Sequence, residues 1–271
     1  MIPALDRDFI AELCLARAGL RVDPDKAYLI DSRLSPLARR ECFSSTEAFI
    51  DALRHGVDDR LAWAAVEAMA LPESEFFRDH HVFAQLADEV VPVLARARGL
   101  EPVRIWSAGC GTGQEIYSLA MLLADAPGLG KVELFASDLS ERSLEKAQSG
   151  RYSQFEVQRG LPARMLVRHF EKDGESFALS PRVRQMVRWR RVNLMDDLAR
   201  VGQYDLILCR NVLGQLAPEA GGQVLDALHG ALAPGGLLVL GQNDSAGKAF
   251  VRAAPDLSVY AAAQTAARSA A

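Results

Sequence analysis

The four cysteines of this 271-residue chain, Cys14, Cys42, Cys110 and Cys209, include no C-x-x-C pair and have no histidine at metal-ligand spacing. A disulfide framework and a zinc site are therefore excluded as organising features, and reduced thiols are expected. A run of roughly 18 apolar residues, enough to span a bilayer, is also missing. So is a leader with a basic start and an apolar core, because apolar and charged residues alternate from Met1 to Leu20. These absences predict a soluble, cytoplasmic chain with no direct membrane insertion. Neither sign of charge dominates: 31 basic against 35 acidic residues give a net charge of −4. The balance offers no overall electrostatic case for nucleic acid or an anionic membrane, and any such contact has to be local.

What is present is ordinary globular composition, 49% hydrophobic and 24% charged. The length fits one large α/β domain or a small domain joined to a medium one, and two domains are expected. From Asp8 to about Ala70 apolar positions recur at helical spacing, as in Phe9, Leu13, Ala16 and Leu20 and again in Leu61, Ala65 and Ala68. Breaks are expected near Asp23-Pro24, Ser35-Pro36 and His55-Gly56, and Ser44-Ser45-Thr46-Glu47 reads as a helix start. The reading gives a helical N-terminal domain over 1–70 and a second domain over 71–271. The second opens with the polar and aromatic junction Leu71 to Arg78 and a helix through Phe83, Leu86, Val90 and Leu94.

Short apolar runs then alternate with helix-length stretches: Val103 to Ala108, Val132 to Ser137, Val187 to Val192, Tyr204 to Cys209 and Leu237 to Gly241. That alternation predicts an α/β fold, a mostly parallel sheet with helices on both faces. The stretch from about 154 to 186 is too long for a crossover and reads as a small inserted subdomain. The Ala-rich end, Ala261 to Ala271, reads as a frayed helix or disordered tail.

Three segments point to a ligand crevice. In Trp106-Ser107-Ala108-Gly109-Cys110-Gly111-Thr112-Gly113-Gln114-Glu115 a strand runs into three alternate glycines and a helix. Glycine there permits positive φ and close ligand approach. The second strand ends in Asp138, where a ribose diol would lie, and the strand Tyr204 to Cys209 ends in Arg210-Asn211 at the same edge. The glycine spacing is shorter than the dinucleotide G-x-G-x-x-G, so a nucleoside without phosphates fits better. Ala233-Pro234-Gly235-Gly236 reads as a turn feeding a buried strand.

Together these segments resemble a class I S-adenosylmethionine-dependent methyltransferase with a Rossmann-like sheet, and more narrowly the CheR family. The narrower resemblance rests on Phe76-Phe77-Arg78-Asp79, Trp106 to Cys110 with Thr112-Gly113, Tyr117-Ser118-Leu119-Ala120 and Ala136-Ser137-Asp138. It continues through Leu144-Glu145-Lys146-Ala147 with Gly150 and Tyr152, His169-Phe170, Val192-Asn193-Leu194 and Cys209-Arg210-Asn211-Val212. It implies S-adenosyl-L-methionine as cofactor, S-adenosyl-L-homocysteine as product, and glutamate methyl esters on the cytoplasmic helices of chemoreceptors. It also implies that Ser74 and Arg78 reach the methionyl end and that Ala108, Gly109, Gly111, Gly113 and Gln114 pass under the cofactor. Asp138 is expected to hold the ribose, Asn193 and Leu194 to flank the adenine, and Arg210 and Asn211 to line the transfer cleft. Arg78, Arg210 and Gln215 are the expected catalytic positions.

The chain departs from the family where Gln215 stands at its tyrosine, Gln114 at a commonly acidic position, Gln242-Asn243-Asp244 at Ser-Glu, and Pro72 at an asparagine. A second reading follows, a cofactor-binding regulatory or scaffold protein with weak or no catalysis. Arg33, Arg39 and Arg40 are candidates for the family's receptor-facing helix or else a solvated face, with Pro36 expected to start a turn. The cluster Arg182, Arg184, Arg188, Arg190 and Arg191 has no assigned role. With only Gly174 in the insert's hairpin, no tight grip on a receptor-tail pentapeptide tether is expected.

Overall fold

The computed structural model describes residues 2–23, 25–56, 58–70, 74–126, 128–254 and 258–263. The chain divides into two compact units, 1–71 with 213–224, and 72–212 with 225–271.

The first unit contains α1 (Ala4–Ala18), α2 (Ala27–Arg40), α3 (Thr46–Arg54) and α4 (Asp59–Met69). Ser45 starts α3 as expected, its hydroxyl accepting the Ala48 N–H at 3.1 Å, and the Asp58 carboxylate does the same for Arg60 at the start of α4. Ile10, Ile30, Leu34, Phe49, Ile50 and Val66 are buried. The expected break at Ser35-Pro36 does not occur, because α2 runs through Pro36. An interior proline costs about 3 kcal/mol. Ile30, Leu34, Leu37 and Ala38 are buried on one face of the same helix, and full burial of a large apolar side chain gains about 1.5–3 kcal/mol. Together they outweigh it.

The unit also takes in 213–224, which the sequence reading gave to the second domain. Here the 3-10 turn Leu213–Gln215 leads into α12 (Pro218–Gly230). Leu20 and Leu216 form an antiparallel bridge, flanked by Arg21 N–H to the Gln215 carbonyl at 2.9 Å and Ala217 N–H to the Gly19 carbonyl at 2.8 Å. Pairing between such distant segments leaves no local sequence signal.

In the second unit α5 (His80–Gln85), a π turn (Leu86–Val90) and α6 (Val91–Arg98) precede β1 (Val103–Ala108). Then come α7 (Gln114–Ala124), β2 (Val132–Asp138), α8 (Glu141–Ser149), β3 (Arg151–Ser153), α9 (Gln154–Gln158), α10 (Ala163–His169), β4 (Phe170–Asp173), β5 (Ser176–Leu179) and α11 (Pro181–Arg184). The strands β6 (Val187–Arg191), β7 (Tyr204–Cys209), β8 (Leu232–Leu240), β9 (Phe250–Arg252) and β10 (Val259–Ala262) complete the order. One sheet runs β6-β2-β1-β7-β8-β10-β9, parallel from β6 to β8 and antiparallel beyond. The order reverses direction between β1 and β7, and ligands of open α/β sheets bind at the carboxyl ends beside such a switch point.

The inserted element is a second, antiparallel sheet, β3-β5-β4, beginning at Arg151 rather than 154. It is anchored by Phe76, whose ring meets Tyr152 at 5.0 Å and Phe170 at 5.7 Å. Two further corrections concern the last strands. Ala233-Pro234-Gly235-Gly236 forms a bulge inside β8, since Leu232 pairs with Tyr204 while Leu237 pairs with Leu206. Ala261 and Ala262, read as the start of a frayed tail, extend β10 against β9, where buried Val259 and Tyr260 hold them. The rest of that stretch from 264 on, and Pro24 and Pro72, lie outside the described residues.

Candidate active site

The carboxyl edge of the parallel strands gathers most of the expected site residues. Ala108 closes β1, buried, and the chain turns through Gly109, Gly111 and Gly113 at φ of 75°, 54° and 90°. Side chains are excluded there by packing as well as by φ. A Cβ at Gly109 would lie 2.5 Å from Val212 Cγ2, and one at Gly113 2.8 Å from the Ala147 Cβ. Two amides of the turn, Gly109 and Cys110, donate to the Ser137 carbonyl at 2.8 and 2.9 Å, and Tyr152 donates its hydroxyl to the Thr112 carbonyl. Buried Gln114 begins α7 with its side-chain oxygen accepting from the Thr112 hydroxyl at 2.7 Å.

Asp138, at the end of β2, faces this turn. Its two oxygens accept the Gly111 N–H at 2.8 Å and the Ser140 N–H at 2.9 Å. Burial raises its carboxyl above the usual aspartate value, and those amides hold it down in part. Asn193 and Leu194 follow β6 beside it, since Val192 N–H donates to the Asp138 carbonyl at 3.1 Å and Asn193 turns back to accept from Met195 N–H.

Arg210 is deeper than expected. Its residue is 6% exposed, and its guanidinium reaches Asp79 at 2.5 Å, the Arg78 carbonyl at 3.0 Å and Glu115 at 3.3 Å, over the ring of Phe83. The cluster clamps a strained loop, because Phe77 and Asp79 on either side of Arg78 sit at φ of 49° and 60°. Such residues cost on the order of 1–3 kcal/mol each and persist where surroundings impose them. Here the Phe77 N–H is tied to the Ser118 hydroxyl, which donates to the Gln114 carbonyl. Arg78 and Ser74 on the same loop are partly exposed.

Three acids of this edge had no role in the sequence reading. Glu115 accepts the Ser107 hydroxyl at 2.8 Å, and burial raises its carboxyl, while Arg210, Ser107 and Arg78 favour its charged form. The signal lay one residue past Gln114, the position read as having lost its acid. Asp79 was visible only as part of Phe-Phe-Arg-Asp. Asp244 was visible only as a departure, yet one of its oxygens accepts Asn211 N–H at 2.9 Å and Gly241 N–H at 3.0 Å, joining the ends of β7 and β8. Asn211 itself sits at φ of 60°.

Gln215 ends the 3-10 turn Leu213–Gln215 that follows β7. It belongs to the first unit, where it lines a cavity of about 200 Å³ with Leu20, Lys26, Ile30, Arg33 and Met69. Arg33 donates to the Met69 carbonyl there at 2.8 Å. Among the described residues no group of acids, histidines and cysteines could hold a metal, and no helix is long and apolar enough to cross a membrane.

The second unit's edge fits S-adenosylmethionine. The cofactor carries an ammonium, a sulfonium and a ribose diol but no phosphate, and the edge offers two half-buried carboxyl groups, Glu115 and Asp138, around a turn without side chains. An edge built for a pyrophosphate would not place an acid such as Glu115 in the first turn of the helix that follows the glycines.

Residues 72–252 match the CheR methyltransferase, SAM binding domain family. The chain is 35% identical over 251 residues to chemotaxis protein methyltransferase 1 of Pseudomonas aeruginosa, covering 89% of both proteins. It is 36% identical over 245 residues to the chemotaxis protein methyltransferase of Vibrio parahaemolyticus, covering 88% of both. A Listeria monocytogenes chemotaxis protein methyltransferase is similar at 28% identity over 248 residues, 90% of this chain and 92% of that one. The switch-point edge in the second unit, with Glu115 and Asp138 around its glycine turn, thus lies in the S-adenosylmethionine-binding domain of a chain that belongs to the CheR methyltransferase family.

Proposed function

We propose that the chain is a cytoplasmic protein-glutamate O-methyltransferase that esterifies glutamates on the cytoplasmic helices of chemoreceptors. The relatives' names support the chemotaxis setting, and the observation that carries the chemistry is the cluster of Glu115, Arg210 and Arg78 beside the glycine turn.

In this reading Asp138 accepts hydrogen bonds from the ribose hydroxyls, Glu115 receives the methionyl ammonium, and Asn193 with Leu194 flanks the adenine. Gly109, Gly111 and Gly113 present backbone alone, with Ala108 and Gln114 at either end of the turn. The bound cofactor supplies a methyl group on a sulfonium. A glutamate carboxylate is already ionised near neutral pH, so its oxygen forms the new C–O bond without a general base. The C–S bond breaks with its electron pair left on sulfur, giving S-adenosylhomocysteine, and no proton moves. Alignment of the two reactants supplies most of the rate, on the order of 7–11 kcal/mol in favourable cases. Arg78, partly exposed, orients the acceptor carboxylate by charge-assisted hydrogen bonds, with Ser74 beside it. Arg210 holds that loop in place, and Asn211 shapes the strand end. Gln215 offers an amide donor where the family has a phenol.

Calorimetric titration of S-adenosylmethionine into wild type and Asp138→Ala, followed by assay of base-labile methyl label in receptor fragments, tests the reading. Binding lost in the variant and label in the receptor support it. Binding with no label turns the assignment to a cofactor-binding regulator, the reading that Gln215 favours. The β4–β5 hairpin, joined by Gly174 and Glu175, is short, and receptor recognition without a pentapeptide tether is part of the proposal.

A further inference from the structure

The outermost strand of the large sheet, β6, carries an arginine run that the active-site reading leaves unused. Val187-Arg188-Trp189-Arg190-Arg191 holds three arginines in a chain with net charge −4, and Arg182 and Arg184 stand just before it. Three of the five are committed within the fold. Arg182 binds the Ala124 carbonyl, Arg184 the Ser149 carbonyl at 3.1 Å, and Arg191 the Leu139 carbonyl at 2.9 Å. Arg188 and Arg190 are exposed and have no carboxylate partner among the described residues.

Register puts these two on one face. Arg188 stands opposite Phe135 and Arg190 opposite Ser137, while Val187 and Trp189 turn to the other face, where the Trp189 ring meets Tyr117 at 5.4 Å. The Arg188 face continues through Phe135, on which Tyr204 stacks at 5.7 Å, to Arg104, whose guanidinium lies 5.1 Å over the Tyr204 ring. Its exposed acid is Glu133, 3.9 Å from Arg104. A parallel crossover normally covers such a face with a helix. Here the connection from β6 to β7 contains only the 3-10 turn Leu198–Arg200.

Among the described residues no strand pairs with the outer side of β6, and such a side offers backbone donors and acceptors to an added strand, where arginines either repel or select by charge. We infer that the free edge of β6 receives an extended acidic segment of a partner protein, whose alternate acidic side chains meet Arg188 and Arg190 while its backbone pairs with the strand. Opposite charges on directly facing strand positions favour that register, and like charges oppose it. The inference does not depend on the methyl-acceptor assignment, because it concerns a different edge of the sheet.

The test uses the full chain without cofactor and a fluorescein-labelled peptide of alternating Glu and Val, with an alternating Lys and Val peptide as control. Anisotropy should report binding of the Glu peptide alone, weakened at least tenfold in Arg188→Glu/Arg190→Glu and by N-methylation of alternate peptide amides. Melting temperature and S-adenosylmethionine affinity of the double variant should match wild type, which separates loss of docking from misfolding or from failure of the cofactor site. No binding, equal binding of both peptides, or full affinity in the double variant overturns the inference. So does a concentration-dependent dimer of wild type that the double variant abolishes, since β6 would then pair with a second copy.

Discussion

The carboxylate of Asp244 and the amide of Asn211 are 2.9 Å apart, and the same oxygen takes Gly241 N–H at 3.0 Å. One side chain thus holds two strand ends together and keeps Asn211 left-handed. Asp244→Ala leaves two donors without their acceptor, at a cost of about 1–3 kcal/mol. Urea unfolding should show that loss, with Asp244→Glu recovering part of it. Unchanged stability in Asp244→Ala would remove this role.

Arg210→Met should destabilise by about 1–3 kcal/mol, because it leaves the half-buried carboxylates of Asp79 and Glu115 without their cation. Restored stability in the triple change Arg210→Met/Asp79→Asn/Glu115→Gln would show that the cost lies in orphaned charge. A mild effect of the single variant contradicts the clamp.

Gly109→Ala combines positive φ with a contact to Val212 Cγ2. The backbone part alone costs about 1–2 kcal/mol. Adding Val212→Ala should relieve the contact and not the backbone strain, so thermal denaturation of the double variant should recover partially. Complete recovery would assign the whole cost to the clash.

Burial raises the carboxyls of Asp138 and Glu115, and both must be ionised to accept from the ribose and face an ammonium. Affinity for S-adenosylmethionine should therefore fall as pH is lowered from neutral through the raised carboxyl range, as these groups take up protons. For the ligand-free fold the sign is opposite. Groups with raised folded pKa contribute stability below their ordinary carboxyl range and lose it as pH rises through the raised value. Calorimetry across that range, and melting of Asp138→Asn beside wild type, check both. Affinity independent of pH counts against ionised carboxylates as the cofactor's partners.

Legibility in the sequence followed the range of the interaction. The parallel strands are readable because each is a short apolar run, and the place of Asp138 because it closes the second of them. Ser45 was readable as a cap three residues before the amide it accepts. The bridge Leu20 to Leu216, the bulge opposite Asp205 and the strand at Val259 depend on partners far away in the chain. Pro36 misled because local preference lost to burial around it. Glu115 is silent for a different reason: in sequence it is only the neighbour of Gln114, and its partners Ser107 and Arg210 stand eight and 95 residues away. Arg210 is legible as a strand-end residue, but its pairing with Asp79 and Glu115 joins positions 131 and 95 residues away and leaves no local mark.

The pairing of Leu20 with Leu216 also sets an order of events during synthesis. The helices α1 to α4 are made before the segment that completes their unit, which emerges only after the strands through β7. Until then Leu20, buried in the finished protein, and the Gly19 carbonyl lack their native partners. The helical unit consequently cannot close until 213–224 has been made, and a nascent chain halted before 213 carries an unfinished surface for a chaperone to cover.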